Sequence, residues 1–135
     1  MMAKLEYVEG IGPKYAKDLR KIGVRSTGDL LKKGGTAKGR DELAKKSGIG
    51  KKLILEWINH VDLFRIKGVG EEYSDLLEEA GVDTVVELAQ RNAANLYTAI
   101  LETNAKKKLV RQTPSEKMVK GWVAQAKKLP RAVEY

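Results

Sequence analysis

Three glycine-rich turns are the segments of this sequence best suited to chemistry. Each places an apolar residue between two glycines, directly before a segment of helical periodicity: Gly10-Ile-Gly12, Gly48-Ile-Gly50 and Gly68-Val-Gly70. We name them the first, second and third glycine turns. A tight turn of this kind leaves the N-terminal amides of the next helix without a partner, and such amides can hold a phosphate.

The residues of the first two turns make this prediction specific. Glycine at the first position permits positive φ, and glycine at the second removes the side chain that would screen the amides. The apolar residue between them is expected to point into the core, with the amides around Ile11 and Ile49 open to solvent. Flanking lysines add mobile positive charge. The predicted nucleic-acid-binding residues are Gly10, Ile11, Gly12, Lys14, Lys17, Ser47, Gly48, Ile49, Gly50, Lys51 and Lys52.

The third glycine turn differs in charge. It is followed by Glu71 and Glu72, and the stretch from Glu71 through Glu87 holds seven acidic residues and no basic one. Carboxylates in the first turn of a helix satisfy its dipole and repel a phosphate. We therefore expect this turn to be structural or to face a protein partner.

The chain repeats itself. The segment from Val8 to Val24 recurs from Ile66 to Val82, 58 residues later, and Trp57 and Trp122 occupy matching apolar stripes at an offset of 65. This duplication predicts two domains, residues 1–65 and 66–135, that pack together. Both tryptophans are expected in the core.

Apolar spacings of three and four residues predict an all-α fold, and no segment alternates as a strand would. A helix is expected from Pro13 until Gly23 ends it in a left-handed conformation. Ser26 to Asp29 and Thr84 to Glu87 have the spacing of capping boxes.

Three further element predictions depend on glycine, proline and lysine. Residues 32–40 are predicted to form a loop before a helix at 41–46, and 102–112 a loop that exposes Lys106 to Lys108. The last helix is expected to begin with Thr113 as the cap and Pro114 in the first turn. Its buried stripe is predicted to be Met118, Val119, Trp122, Val123 and Ala126.

Net charge favours an acidic partner for the first half. The chain carries a formal charge of +8, of which residues 1–65 contribute +7 (fifteen basic, eight acidic) and residues 66–135 contribute +1 (eleven basic, ten acidic). If a polyanion binds, the first half is the expected surface.

The composition argues against most enzyme and metal chemistry. The chain has no cysteine and one histidine, His60, which we expect at the surface or at a helix end. No nucleophile–base pair and no dinucleotide fingerprint is present, so we expect no enzyme and no metal site. No apolar run is long enough to span a bilayer, and we expect a soluble, cytoplasmic protein.

The turn Gly10-Ile-Gly-Pro-Lys14 resembles the helix-hairpin-helix modules of DNA-repair and replication proteins. The whole chain is similar to a small bacterial protein family of unestablished function built from two such tandem domains. The resemblance implies that hairpin amides contact DNA phosphates and that hairpin carbonyls can hold a monovalent cation. It extends to Gly10, Ile11, Gly12 and Lys14, and to Gly48, Ile49, Gly50, Lys51 and Lys52.

Two functions remain open at the level of sequence. The first is sequence-independent binding of a nucleic-acid phosphate backbone, with DNA as the expected polymer. The second is a protein-interaction or scaffold module in which the glycine turns only build the fold, with the partner on the second half.

Overall fold

The protein is all-α, as predicted. The computed structural model describes residues 3–135, and within this range there are helices and connecting segments but no strand. A short 3-10 helix, Leu5–Tyr7, precedes eight α-helices: α1 Pro13–Lys21, α2 Thr27–Gly34, α3 Ala37–Ser47, α4 Lys51–Leu63, α5 Glu71–Glu79, α6 Val85–Ala89, α7 Ala93–Lys107 and α8 Glu116–Lys128. None of the helices in the described range is both long and apolar enough to cross a membrane.

The chain divides into two compact units. The boundary falls after Asp62, and the last four residues, Ala132–Tyr135, belong to the first unit. The second unit is Leu63–Arg131. The first unit therefore holds α1 to α4 except for the last residue of α4, and the second holds α5 to α8.

Both predicted capping boxes are present. Ser26 Oγ accepts from the Asp29 amide (3.1 Å), and Thr84 Oγ1 accepts from the Glu87 amide (3.3 Å). The acidic residue of each box accepts from the amide of the residue before the cap: Asp29 from Arg25 (3.1 Å) and Glu87 from Asp83 (3.4 Å). Gly23 ends the first helix region at φ 91°, the left-handed conformation that the sequence predicted.

The predicted loop at residues 32–40 is wrong. Helix α2 continues to Gly34, and α3 begins at Ala37 because Thr36 Oγ1 caps it by accepting from the Gly39 amide (3.0 Å). The glycines here serve close packing: a Cβ on Gly34 would overlap the Ile58 side chain, and one on Gly39 would overlap the Lys33 carbonyl. Sequence alone does not distinguish a glycine required by packing from one required by a turn.

The boundaries of the last two helices also differ from prediction. Helix α7 runs on to Lys107, so Lys106 lies in its last turn and not in a loop. Asn104 then closes the following bend, because its side chain accepts from the Val110 amide (3.0 Å) and donates to the Val110 carbonyl (3.1 Å). Helix α8 is capped by Ser115, whose Oγ accepts from the Met118 amide (3.1 Å), and not by Thr113.

Side-chain burial confirms most of the predicted buried stripe of α8 and corrects the predictions for two residues. Met118 is 39% exposed and does not belong to the buried stripe of α8. His60 was expected at the surface or at a helix end; it does lie in the last turn of α4, but it is only 3% exposed and so is not at the surface. The remaining members of the α8 stripe are buried: Val119, Trp122, Val123 and Ala126.

Arg40 fastens the chain terminus within the first unit. Its guanidinium, 6% exposed, donates to the carbonyls of Gly34 (3.0 Å), Gly35 (3.1 Å) and Glu134 (2.6 Å). The Glu134 amide in turn donates to the Gly35 carbonyl (2.7 Å). A planar cation with several donors suits three carbonyls, which explains how Arg40 is buried with no carboxylate partner within residues 3–135.

Substituting Gly34 tests the packing role of the helical glycines. We expect Gly34→Ala to lower the free energy of unfolding by about 1 to 3 kcal/mol, because the added methyl group must displace the Ile58 and Leu43 side chains. Urea denaturation followed by circular dichroism measures the change. The control is Gly121→Ala in α8, where a Cβ meets nothing within 4 Å and should raise stability by roughly 0.5 to 1 kcal/mol. Equal effects of both variants would contradict the packing role.

Candidate nucleic-acid interface

The first glycine turn is fixed by a tryptophan. Gly10 has φ 92°, and a Cβ at this position would lie 3.2 Å from Nε1 of Trp57 on α4. Tyr15, on the first turn of α1, packs edge-on against the same indole with ring centroids 5.1 Å apart. The positive φ favours glycine here, and the close approach leaves little room for a side chain. The start of α1 therefore packs directly against α4.

The Ile11 amide is not open, contrary to the sequence-based expectation. It donates to the Val8 carbonyl at 3.0 Å, and the Ile11 side chain is only 3% exposed. A turn this tight closes its own hydrogen bond on the apolar residue. In the first turn of α1, the amides without an acceptor in residues 3–135 are those of Lys14 and Tyr15, since Pro13 has no N–H and Ala16 already donates to the Gly12 carbonyl (3.0 Å).

The second glycine turn engages its central amide in another way. Gly48 ends α3 at φ 77°, and the Ile49 amide donates to Ser47 Oγ (3.1 Å). Ser47 Oγ itself donates to the Leu43 carbonyl (2.6 Å). The Ser47 hydroxyl therefore links the turn to the last turn of α3 by two hydrogen bonds. Ile49 is 6% exposed, and the expectation of an open Ile49 amide is also wrong.

The first turn of α4 supplies the free amides here. Ile54 donates to the Gly50 carbonyl (3.2 Å), while no acceptor within the described chain contacts the amides of Lys51, Lys52 and Leu53. A Cβ on Gly50 would meet nothing within 4 Å, as is also true of Gly12. The second glycine of each turn therefore leaves these amides unscreened, as predicted.

Lysine side chains accompany both sets of free amides. Lys14, Lys17 and Lys52 are exposed. Lys51 pairs with Asp41 of α3 at 3.0 Å, beside a surface concavity of about 550 Å³ that Lys45, Ile49 and Gly50 also line. Both partners of this pair are at least half exposed, and such pairs contribute little free energy, so a phosphate can compete with Asp41 for Lys51.

Another cation of α1 is already engaged. Arg20 donates to Glu6 at 2.7 Å, and this hydrogen bond lowers the pKa of the Glu6 carboxyl and raises the pKa of the Arg20 guanidinium. The pair stays charged across the neutral range. Arg20 is therefore not available to an external anion, whereas Lys14 and Lys17 form no ion pair within residues 3–135.

The third glycine turn shares the backbone geometry of the first. Gly68 has φ 94°, its Cβ position lies 3.2 Å from Trp122 Nε1, and the Val69 amide donates to the Ile66 carbonyl (3.1 Å). Tyr73 packs on Trp122 with ring centroids 5.3 Å apart. The first turn of α5 nevertheless carries Glu71 and Glu72, which place negative charge where the other two turns place lysine.

The helices after glycine turns differ from the other five in capping. Neither Gly12 nor Gly70 provides a side-chain cap, and Gly50 has no side chain to provide one. The remaining α-helices each have a side chain that accepts from a first-turn amide: Ser26, Thr36, Thr84, Asn92 and Ser115. Uncapped helix N-termini thus occur at the glycine turns, and two of these three carry lysine.

Sequence reasoning missed three participants. It named the central residue of each turn but not the amides of Tyr15 and Leu53, which are the third residues of their helices. The rule that the first helical amides lack intrahelical acceptors would have identified them. Asp41 was missed because it lies ten residues before Lys51 in sequence and approaches it only through the fold.

Comparison with known proteins identifies a family. A family model described as Domain of unknown function (DUF4332) matches residues 9–129. No curated protein and no solved structure matches the chain. The matched range includes all three glycine turns and every α-helix, and the chain therefore belongs to the family Domain of unknown function (DUF4332).

Proposed function

We propose that this protein is a non-enzymatic, sequence-independent nucleic-acid-binding protein, with duplex DNA as its expected partner. The observation that carries the proposal is the pair of uncapped, lysine-bearing helix N-termini at the first and second glycine turns. Backbone amides, the helix dipole and lysine side chains act together there on a phosphate.

We also propose that the two units are tandem helix-hairpin-helix domains related by duplication. Three matched features support this: positive φ at Gly10 and Gly68, an indole nitrogen against each of these glycines, and a tyrosine stacked on each indole. The matching glycines and the matching tyrosines are 58 residues apart in sequence, and the matching tryptophans are 65 residues apart. If the two units had arisen independently, each of these three features would have had to arise twice.

The corrected amide pattern changes which groups bind. We assign phosphate contacts to the amides of Lys14 and Tyr15 at α1, and to those of Lys51, Lys52 and Leu53 at α4. The roles of Ile11 and Ile49 become structural, since their amides are engaged and their side chains buried. Gly12 and Gly50 contribute by carrying no polar side chain that could occupy these amides.

The two helix N-termini lie within reach of one polyanion. Trp57 contacts both Gly10 and Tyr15, and it lies six residues after Lys51, about 9 Å along α4. The start of α1 is thus beside α4, two helical turns from its own start. We infer that two non-adjacent phosphates of one nucleic acid occupy this pair of sites.

None of these contacts reads a base edge. Binding through amides and lysines is therefore expected to be independent of base sequence and to weaken steeply with salt. A monovalent cation at a hairpin carbonyl and a cytoplasmic location remain part of the proposal.

A protein partner on the second unit is the second candidate function. Glu71 and Glu72 in the first turn of α5 favour a basic partner over a phosphate at that turn. A protein with no measurable affinity for duplex DNA would favour this alternative.

Charge reversal in the first turns of α1 and α4 tests the nucleic-acid proposal. We expect Lys14→Glu and Lys52→Glu each to weaken binding to a labelled DNA duplex by about tenfold, the equivalent of ~1.4 kcal/mol. Each should also reduce the slope of log affinity against log salt by about 0.9, because one phosphate contact is lost. Fluorescence anisotropy at several salt concentrations measures both quantities.

The matched control for these variants is Lys38→Glu. Lys38 is an exposed lysine in the first turn of α3, where Thr36 already caps the helix. The charge change and the position within the helix are the same as in the other variants. The difference is that α3 does not follow a glycine turn and its N-terminus is capped by a side chain. A loss as large as that of Lys14→Glu would show a general charge effect and contradict the assignment.

Filling the cap position separates binding from stability. We expect Gly12→Asp to raise the free energy of unfolding by a few tenths of a kcal/mol, because its carboxylate caps α1. It should weaken duplex binding about tenfold, since the same amides are then occupied and the added charge repels phosphate. Thermal denaturation and anisotropy give the two readouts. Gly12→Ala, which leaves the amides free, is the control and should keep most of the affinity.

Removing Asp41 should have the opposite effect. We expect Asp41→Asn to strengthen duplex binding about two- to fivefold at low salt, because it releases Lys51 and removes a negative charge from the second turn. The difference should shrink as salt increases. Glu42→Gln, an exposed neighbour on α3 that makes no ion pair in the described chain, is the control. Equal gains from both variants would contradict a specific role for Asp41.

A further inference from the structure

The second unit contains a basic groove that the sequence did not predict. A concavity of about 490 Å³ lies between the N-terminal end of α7 and the outer face of α8. Of the eight residues that line it, four are cationic and none is acidic. The cations are Arg91, Lys120, Lys127 and Lys128, and we call this concavity the basic groove.

The charges of the basic groove are not neutralised. None of its four cations forms an ion pair or a side-chain hydrogen bond within residues 3–135. The acidic residues of the second unit are concentrated instead between Glu71 and Glu87, and one of them, Glu79, pairs with Lys107 (2.6 Å), which is not part of the groove. Four positive groups around one concavity repel each other until an anion binds.

The helix that opens into the groove adds to this field. Asn92 Oδ1 caps α7 by accepting from the Asn95 amide (3.0 Å), which leaves the amides of Ala93 and Ala94 without an acceptor in the described chain. Ala93 itself lines the groove. The positive end of the α7 dipole therefore points toward the same concavity as the four side chains.

The lining indicates what class of polyanion fits. It contains no aromatic residue, and its apolar part consists of Ala93, Val123 and Ala124. Base stacking on single strands and the anchors of protein interfaces both depend on aromatic side chains. Lys120 and Lys127 are seven residues apart, about 10 Å along α8, which is close to three base steps of a duplex strand. This spacing suits a series of phosphates.

We propose that the basic groove is a second binding site for the phosphate backbone of a nucleic acid. It acts through Lys120, Lys127, Lys128 and Arg91, with the α7 amides contributing, and does not require the glycine turns. The near-neutral charge of the second half does not reveal this site, because seven of its acidic residues lie between Glu71 and Glu87 and none lines the groove.

The test compares two double variants of the full-length protein. The groove variant is Lys120→Glu with Lys127→Glu; the matched control is Lys117→Glu with Lys106→Glu. Each pair combines one exposed lysine of α8 with one in the last turn of a helix, and none of the four forms an ion pair in the described chain. Binding to a labelled 20-base-pair DNA duplex is measured by anisotropy across a salt series, also in a Gly12→Asp background.

We expect the groove variant to lose at least tenfold in affinity and about 1.8 in salt slope, and the control to lose less than threefold. The same loss of affinity should occur in the Gly12→Asp background. The experiment therefore distinguishes a wrong assignment of the glycine turns from a wrong assignment of the basic groove. Equal losses in the groove and control variants would overturn the proposal. So would groove-dependent binding of a labelled polyglutamate peptide that equals or exceeds duplex binding, because the occupant would then be an acidic protein segment.

A neutral double variant tests whether a loss of binding reflects a loss of folded structure. Lys120→Gln with Lys127→Gln removes the charge without placing carboxylates near the C-terminal end of α8, where they are unfavourable. Circular dichroism should match the unmodified protein, and duplex affinity should fall by an intermediate factor. A folded neutral variant with unchanged affinity and salt slope would also overturn the proposal.

Discussion

The close approach of an indole nitrogen to a glycine determines where two of the three uncapped helices, α1 and α5, begin. At Gly10 and again at Gly68, the backbone adopts a positive φ and the indole of a tryptophan lies so close that a side chain would be in tight contact with it. Only glycine meets both conditions without strain. Because the tryptophans belong to long helices, each contact fixes the direction in which α1 or α5 starts. The position of the free amides follows from that direction.

Short-range signals in the sequence were sufficient for the local structure. Capping boxes at Ser26 and Thr84, the left-handed Gly23 and the buried tryptophans all depend on residues a few positions apart, and these predictions are confirmed. The loop predicted at residues 32–40 is wrong because a glycine in it packs against a distant helix. Gly34 is a glycine because Ile58 packs against it, and the sequence around Gly34 alone reads as a loop.

The candidate site shows the same division. The pattern of glycines and lysines predicted which turns would have open helix N-termini, and Gly12 and Gly50 do have unobstructed space. The identity of the free amides could not be inferred from the pattern, since it depends on the hydrogen bond that each turn forms internally. Ile11 donates to Val8 and Ile49 to Ser47, so the available donors shift two or more residues into the helix.

Helix capping relates these observations to function. Replacing a side-chain cap with glycine lowers the free energy of unfolding by only a few tenths of a kcal/mol. The fold therefore tolerates an uncapped helix N-terminus. At α5 the carboxylates of Glu71 and Glu72 offset the dipole, and no external anion is needed. At α1 and α4 the first turn carries lysine instead, which adds repulsion to the dipole and is unfavourable for the isolated helix. An external polyanion would relieve both contributions, and this difference between otherwise similar turns is the physical basis of the proposed function.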